Sequence, residues 1–400
     1  MNSKEIIALD NKYGAHNYHP LPVVIAEAKG VMVKDPEGKE YYDFLSAYSA
    51  VNQGHRNDKI INALIEQVSK CTLTSRAFHN DVMGKFLKKL CEFTGYEMAL
   101  PMNTGAEANE TAIKLARRWG VEKKGIENGK QEIIVAEDNF HGRTTTIISF
   151  STDPEARINY GPYAPGFKIV PYNNAKAIEE AITENTCAVL LEPIQGEAGV
   201  YVPEEGYLTK VREICTKNNV LFIADEVQTG FCRTGKRFAV NHENVKPDIM
   251  TLGKALGGGV IPVSACVADH DVMGIFTPGT HGSTFGGYPV AAAVGIASLE
   301  VLEEMKLEEN AERLGEIFRN EISKVKCDKI KLVRGKGLLN AVVFEEGFEA
   351  WDVCITLKEN GVLAKQTHGN IIRFAPPLVI NEEELRAAIA IIKSVFESIK

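Results

Sequence analysis

The chain has 400 residues, 44% of them hydrophobic and 24% charged, with a formal net charge of −8. That length suits two domains, or one large and one small. Mild acidity without long single-sign runs argues against an electrostatic nucleic-acid binder. No apolar run approaches the ~20 residues of a membrane span, and Met-Asn-Ser-Lys-Glu at the N-terminus has no signal-like apolar region. The expectation is a cytoplasmic enzyme with neither a nucleic-acid nor a membrane partner.

The eight cysteines are scattered without a CxxC pair, and several fall inside apolar runs, as for small core residues in a reducing compartment. From the N-terminus, residues 4–12 read as a short helix feeding the arm Gly14–Pro22. His16 and His19 in that arm lack a third ligand, so no metal site is expected. Val23–Tyr42 holds two strand-like pieces around the turn Lys34–Gly38. Asp43–His55 is loop-like, and amphipathic helices follow at about 57–70 and 80–93. Asn103-Thr104-Gly105-Ala106-Glu107 has the N-cap threonine and early acid of a helix start, leading into Thr111–Trp119. The strand Gln131–Glu137 delivers Asn139-Phe140-His141-Gly142-Arg143. Its aromatic can lie flat against a ring, and its guanidinium suits a carboxylate.

Three continuous apolar runs then end on charged residues. Thr186–Leu191 runs into Glu192, Asn219–Ala224 into Asp225, and Pro247–Leu252 into Gly253-Lys254. Such runs fit strands covered on both faces of a parallel sheet, and helical stretches such as Tyr207–Lys217 lie between them. Parallel strands point their carboxyl ends one way, and ligands bind in the crevice outside those ends. Glu192, Asp225 and Lys254 are therefore expected in one cleft. A desolvated lysine can form a Schiff base with an aldehyde. With an aspartate for a pyridinium nitrogen, the pair matches the needs of pyridoxal 5′-phosphate (PLP). The helix start at Gly105 and Ala106 then becomes the expected phosphate site. The glycine–hydroxyl loop His281-Gly282-Ser283-Thr284 precedes helices at about 289–306 and 308–325. The remainder reads as α+β, with a strand over Asn370–Pro377 and a helix from about 382.

These motifs in this order resemble the class III PLP-dependent aminotransferases of fold type I, and within them the branch acting on ornithine. The resemblance spans nearly the whole chain, from Gly14 to the last strand. It implies an α/β fold: a large domain with a mostly parallel sheet flanked by helices, plus a smaller α+β domain. Residues 1–50 would form the N-terminal arm and part of the small domain. Residues 51–288 would be the PLP-binding domain, and 289–400 a linker helix with the C-terminal small domain.

Lys254 resembles the family's cofactor-bound lysine, Asp225 the partner of the pyridine nitrogen and Phe140 the stacking aromatic. Gln228 is similar to the residue at the ring hydroxyl, and Gly105 and Ala106 to the phosphate amides. Ser283 and Thr284 resemble the loop that reaches the neighbouring subunit's phosphate, which implies a homodimer with shared sites. For substrate, Arg143 resembles a carboxylate clamp, Tyr18 the acceptor of an α-ammonium, and Tyr48 a pocket wall. Arg373 and Glu197 resemble a guanidinium and the glutamate that masks it until the oxo acid binds. His141 stands where some ornithine enzymes carry tryptophan and many class III relatives carry histidine. The implied reaction transfers the δ-amine of L-ornithine to 2-oxoglutarate. Acetylornithine and 4-aminobutyrate aminotransferases, PLP aminomutases and a non-enzymatic PLP scaffold stand as alternatives.

Overall fold

The computed structural model describes residues 1–399, which form three β-sheets flanked by helices. In chain order, β1 is Glu27–Lys29, β2 Met32–Lys34 and β3 Glu40–Asp43; β4 is Met98–Met102, β5 Glu132–Ala136, β6 Phe167–Val170 and β7 Thr186–Leu191. Then come β8 Leu221–Asp225, β9 Ile249–Leu252 and β10 Ser264–Ala268, followed by β11 Ile330–Lys336, β12 Leu339–Phe344, β13 Val362–Leu363, β14 Lys365–Thr367 and β15 Ile371–Phe374.

The central sheet has the order β4-β10-β9-β8-β7-β5-β6. Only β10 runs against its neighbours; β9, β8, β7, β5 and β6 pair in parallel. Every residue of β7, β8 and β9 is buried, which accounts for their unbroken apolar runs. Alternate side chains feed two cores. Ile133, Val135, Leu190 and Ile223 pack with Ile113, Ala116 and Trp119 of the helix Gly105–Glu122. Ile134, Val189, Phe222 and Met250 join the larger core on the other face. Because β7, β8 and β9 are adjacent and parallel, Glu192, Asp225 and Lys254 emerge on one edge of the sheet, as the sequence predicts.

The other sheets flank this frame. β1, β2 and β3 continue into β13, which pairs parallel to β3, so the first strands are completed by residues some 320 positions later. The C-terminal sheet, β11-β12-β15-β14, is antiparallel throughout. Its cover includes the helices Leu307–Ile322 and Glu382–Glu397.

The helix start expected at Thr104–Ala106 is where the structure has it, with Thr104 as the cap, and the helix runs on to Glu122. The structure differs from the sequence expectation elsewhere. The loop-like stretch 43–55 contains a turn, Ser46–Ser49, in which four consecutive non-glycine residues have φ between 45° and 74°. In the N-terminal arm, His16 Nε2 lies 2.8 Å from the Asn11 carbonyl, and His19 stacks on Trp351. Among the described residues no helix is long and apolar enough to cross a membrane.

Candidate active site

Asp225, the last residue of β8, is the anchor. Its Oδ2 accepts from His141 Nδ1 and Asn109 Nδ2, each at 2.7 Å, and Oδ1 accepts from the Val227 N–H at 3.0 Å. Burial pushes this acid up, but the hydrogen bond and charge of His141 and the Val227 and Asn109 donors outweigh it. The net pKa lies below the ordinary value. A carboxylate has about four acceptor positions, so one remains for an N–H arriving from the cavity.

Lys254 follows β9 and opens the turn Lys254–Gly257 with φ at 47°, a strained backbone for a residue with a Cβ. Burial lowers its pKa; the charges of Glu197 and Asp225 counter that only in part. Such an amine is more readily available as a nucleophile.

Thr104 caps the helix Gly105–Glu122 in a capping box with Glu107. Glu107 Oε2 takes the N–H groups of Asn103 and Thr104 at 2.9 Å, and the Glu107 N–H goes to Thr104 Oγ1 at 3.2 Å. The N–H groups of Gly105 and Ala106 have no acceptor among the described residues, as at any helix start awaiting a ligand or water. A Cβ on Gly105 would come within 2.7 Å of Val227, so only glycine lets this helix start lie against the loop after β8.

These groups line a cavity of about 170 Å³, with Phe140, Glu192, Gln228 and Thr229 completing its wall. The Phe140 N–H donates to Glu192 Oε2 at 2.9 Å. Burial, and then repulsion from Asp225, raise Glu192 well above the usual carboxylate range. A second cavity of about 210 Å³ shares Phe140, His141 and Gly142 and extends to Glu197 and His368.

Beside these cavities Arg373 Nη1 donates to Glu197 Oε1 at 2.7 Å and to the Gly196 carbonyl at 3.3 Å, while its buried Nε has no partner. Gln228 Nε2 donates to the same Glu197 oxygen at 2.9 Å. Burial works to raise the Glu197 pKa, but Arg373 prevails and lowers it to about 2. The Tyr48 ring centroid lies 5.0 Å from the Arg373 guanidinium.

Thus a single chain gathers Gly105, Ala106, Phe140, Asp225, Gln228 and Lys254 around one cavity and sets Glu197, Arg373 and Tyr48 next to it. Arg143 is exposed, its guanidinium 5.8 Å from the Phe140 ring centroid. Tyr18 is 68% exposed but near enough to influence the ionisation of Tyr48. Ser283 and Thr284 do not line the main cavity: Ser283 Oγ accepts from Asn103 at 2.8 Å, and Thr284 is exposed. Sequence reasoning passed over Asn109 and the partnership of His141 with Asp225. The available signal for Asn109 was its place one helical turn beyond Gly105.

PLP fits this cavity. The open position on Asp225 suits a ring N–H, the two free amides a phosphate, the enclosed amine an aldehyde, and Phe140 a flat ring. The aminotransferase class-III family profile matches residues 13–396. The chain is 56% identical over 392 residues to the mitochondrial ornithine aminotransferase of Drosophila melanogaster, covering 98% of this chain and 91% of that protein. It is 55% identical over 396 residues to the ornithine aminotransferase of Bacillus subtilis (strain 168), covering 99% and 98%. The solved ornithine aminotransferase of Toxoplasma gondii ME49 superimposes with a TM-score of 0.98 at 47% identity, covering 99% of this chain and 95% of that one. The acetylornithine aminotransferase of Elizabethkingia anophelis does so at 0.91 and 52%, covering 100% of both. Agreement along the full length in sequence and backbone matches what the cavity offers chemically, and the chain belongs to the class III aminotransferases, a family of PLP-dependent enzymes.

Proposed function

We propose that this enzyme transfers the δ-amino group of L-ornithine to a 2-oxo acid, preferably 2-oxoglutarate. The products are L-glutamate 5-semialdehyde, which closes spontaneously to pyrroline-5-carboxylate, and L-glutamate. The observation that carries this reading is the masked guanidinium, Arg373, 2.7 Å from Glu197. An unmasked arginine there would seize the α-carboxylate of ornithine and present the wrong amine; masked, it leaves room for methylenes. 2-Oxoglutarate, which must bring its α-carboxylate to that spot, takes the guanidinium after Glu197 turns away. A buried charge without a partner is costly, so Arg373 holds one anion or the other. The relatives named as ornithine aminotransferases support the same substrate.

When bound, PLP supplies an electrophilic aldehyde and an electron-withdrawing ring. Asp225 would hold the proton on the ring nitrogen, with His141 and Asn109 fixing the carboxylate. Gly105 and Ala106 would donate to the phosphate, Phe140 would cover a ring face and Gln228 would meet the ring hydroxyl. Lys254 Nζ would hold the aldehyde end of the cofactor, and its buried amine, with its lowered pKa, would take the proton from the substrate carbon that bears the amine. At the far end Arg143 receives the α-carboxylate of ornithine, Tyr18 accepts from its α-ammonium, and Tyr48 forms the wall.

The enzyme is proposed to work as a homodimer, with Ser283 and Thr284 completing the partner's phosphate site. Exposed Ile65, Val68, Leu73 and Phe78 offer apolar surface for such an interface. Residues 51–288 are proposed as the cofactor domain, and 1–50 with 289–400 as the small domain. Eight free cysteines suit a cytoplasmic, reducing setting.

The likeness to an acetylornithine aminotransferase favours N-acetylornithine as the second reading. Adding ornithine, N-acetylornithine or 4-aminobutyrate separately to the holoenzyme, without oxo acid, distinguishes them. Ornithine alone is expected to bleach the cofactor's long-wavelength absorbance; faster bleaching by N-acetylornithine would overturn the assignment.

A further inference from the structure

Glu197 is fastened by its backbone as well as by its carboxylate. It lies in the loop Gln195–Tyr201, which the paired backbones of those two residues close. Carbonyls along this loop accept from the C-terminal sheet and its hairpin. The Gly196 oxygen takes Arg373 Nη1 at 3.3 Å, the Gly199 oxygen takes Arg334 Nε at 3.0 Å, and the Glu197 oxygen takes two donors. Those two are Thr367 Oγ1 at 3.0 Å and His368 Nε2 at 3.1 Å. A carbonyl only accepts, so Nε2 of His368 carries the hydrogen.

Thr367 is the last residue of β14 and pairs with Ile371 of β15, the strand that carries Arg373. His368 makes the turn between them with φ at 50°, a left-handed backbone in a residue with a Cβ. Packing leaves the loop little freedom to slide, since a Cβ on Gly199 would meet Ile371 Cδ1 at 2.6 Å. One hairpin therefore carries both the guanidinium and the donors that hold the backbone of its mask. Any shift of this sheet takes Glu197 and Arg373 along together, and the pair opens only by rotation of the glutamate side chain.

We propose that Thr367 and His368 are positioning residues: they hold the Glu197 backbone where its carboxylate closes over Arg373, and so set which amine of a diamino acid is transferred. This rests on the reading of Glu197 as the mask of Arg373. Without the two donors the loop relaxes, the carboxylate covers the guanidinium less completely, and the α-carboxylate of ornithine competes for it. Ornithine then binds reversed and loses its α-amine, giving 5-amino-2-oxopentanoate in place of the semialdehyde.

The test uses the holoenzyme with ornithine and 2-oxoglutarate, in T367V, H368F, the double variant and E197Q. The two ornithine-derived products are quantified separately, and KM is measured for 2-oxoglutarate. The ratio of δ- to α-transfer is expected to fall by about five-fold for each hydrogen bond lost, with a parallel drop in the KM for 2-oxoglutarate. H368F, at an exposed position, keeps the test open should T367V not fold. An unchanged ratio and KM in the anchor variants, with both shifted in E197Q, would overturn the positioning role and leave the mask standing. If E197Q moves neither quantity, the mask fails and the proposal with it.

Discussion

His141 Nδ1 lies 2.7 Å from Asp225 Oδ2, with the imidazole fully enclosed and its Nε2 unpartnered. The two residues stand 84 positions apart in the chain, and they meet because β5 and β8 end on the same edge of the sheet. Removing this donor takes away one of the influences that hold Asp225 ionised against burial. His141→Phe is expected to lower kcat by about 10-fold to 100-fold, the worth of a hydrogen bond to a charged group. It should also weaken PLP retention. Single-turnover rates with ornithine at saturating cofactor separate the two effects.

Arg373→Met should raise the KM for 2-oxoglutarate by ~100-fold or more, the cost of losing a buried charge partner, while the ornithine half-reaction changes far less. The variant also removes the largest influence that lowers the Glu197 pKa, so burial then pushes that carboxyl upward against the remaining pull of Lys254 and Gln228. In the wild type the pair's stability is present above the ordinary glutamate pKa and is lost only as pH falls toward about 2. Half-reaction rates of the variant measured from pH 5 to 8 should reveal a titration that the wild type lacks.

How far the site could be read in advance follows from what each segment has to satisfy. β7, β8 and β9 are buried on both faces, so their apolar runs and charged ends stand out. β4 carries Pro101, β6 is partly exposed and β10 is built largely of small residues, and none of them carries a comparable signal. The Ser46–Ser49 turn contains no glycine or asparagine, the residues that normally announce a left-handed backbone. Contacts such as Asn109 with Asp225, or Thr367 and His368 with Glu197, join distant segments and become visible only once the sheets are assembled.

Gly196→Ala tests how closely the loop approaches the cavity. A Cβ at that position would overlap Oε1 of Gln228, so the glutamine must swing aside and give up its 2.9 Å bond to Glu197. Loss of a hydrogen bond to a charged group is worth roughly 2 kcal/mol. Cofactor affinity and the KM for 2-oxoglutarate should therefore both change by about 10-fold or more, and the apo-protein, which makes the same bond, should lose stability by about 2 kcal/mol in urea unfolding.

Glu226, next to Asp225, is fully buried and accepts from Thr229 Oγ1 and from the Val240 N–H at 2.9 Å. Burial raises its pKa to about 7. An acid with a raised pKa binds more protons when folded, so its contribution to stability falls as pH rises from about 4.5 through 7. From those two values the loss is about 3 kcal/mol. Glu226→Gln removes that titration. Urea unfolding of both proteins should show the variant gaining on the wild type by that order between pH 5 and 8; parallel pH profiles would refute it.

The turn Ser46–Ser49 stores strain where Tyr48 meets Arg373. Ala47 sits at φ 45° and ψ 47° and is exposed, and a left-handed backbone costs an L-residue roughly 1–2 kcal/mol. The turn is held by neighbours: Asp43 Oδ1 accepts the N–H groups of Leu45 and Ser46 at 2.8 and 2.9 Å, and Ser46 Oγ donates to the Ala375 carbonyl at 2.7 Å. Ala375 lies two residues beyond Arg373, so that bond ties the strained turn to the strand carrying the guanidinium. Glycine at position 47 avoids the steric cost but loses more chain entropy on folding, about 0.5–1 kcal/mol. Ala47→Gly should therefore stabilise the protein by about 0.5–1 kcal/mol in urea unfolding. The hydrogen bonds at Ser46 and Asp43 persist, so kcat/KM for both substrates should stay within about two-fold, below the effect of one lost hydrogen bond. A fall in stability would mean that the alanine methyl makes a contact worth more than the strain it imposes.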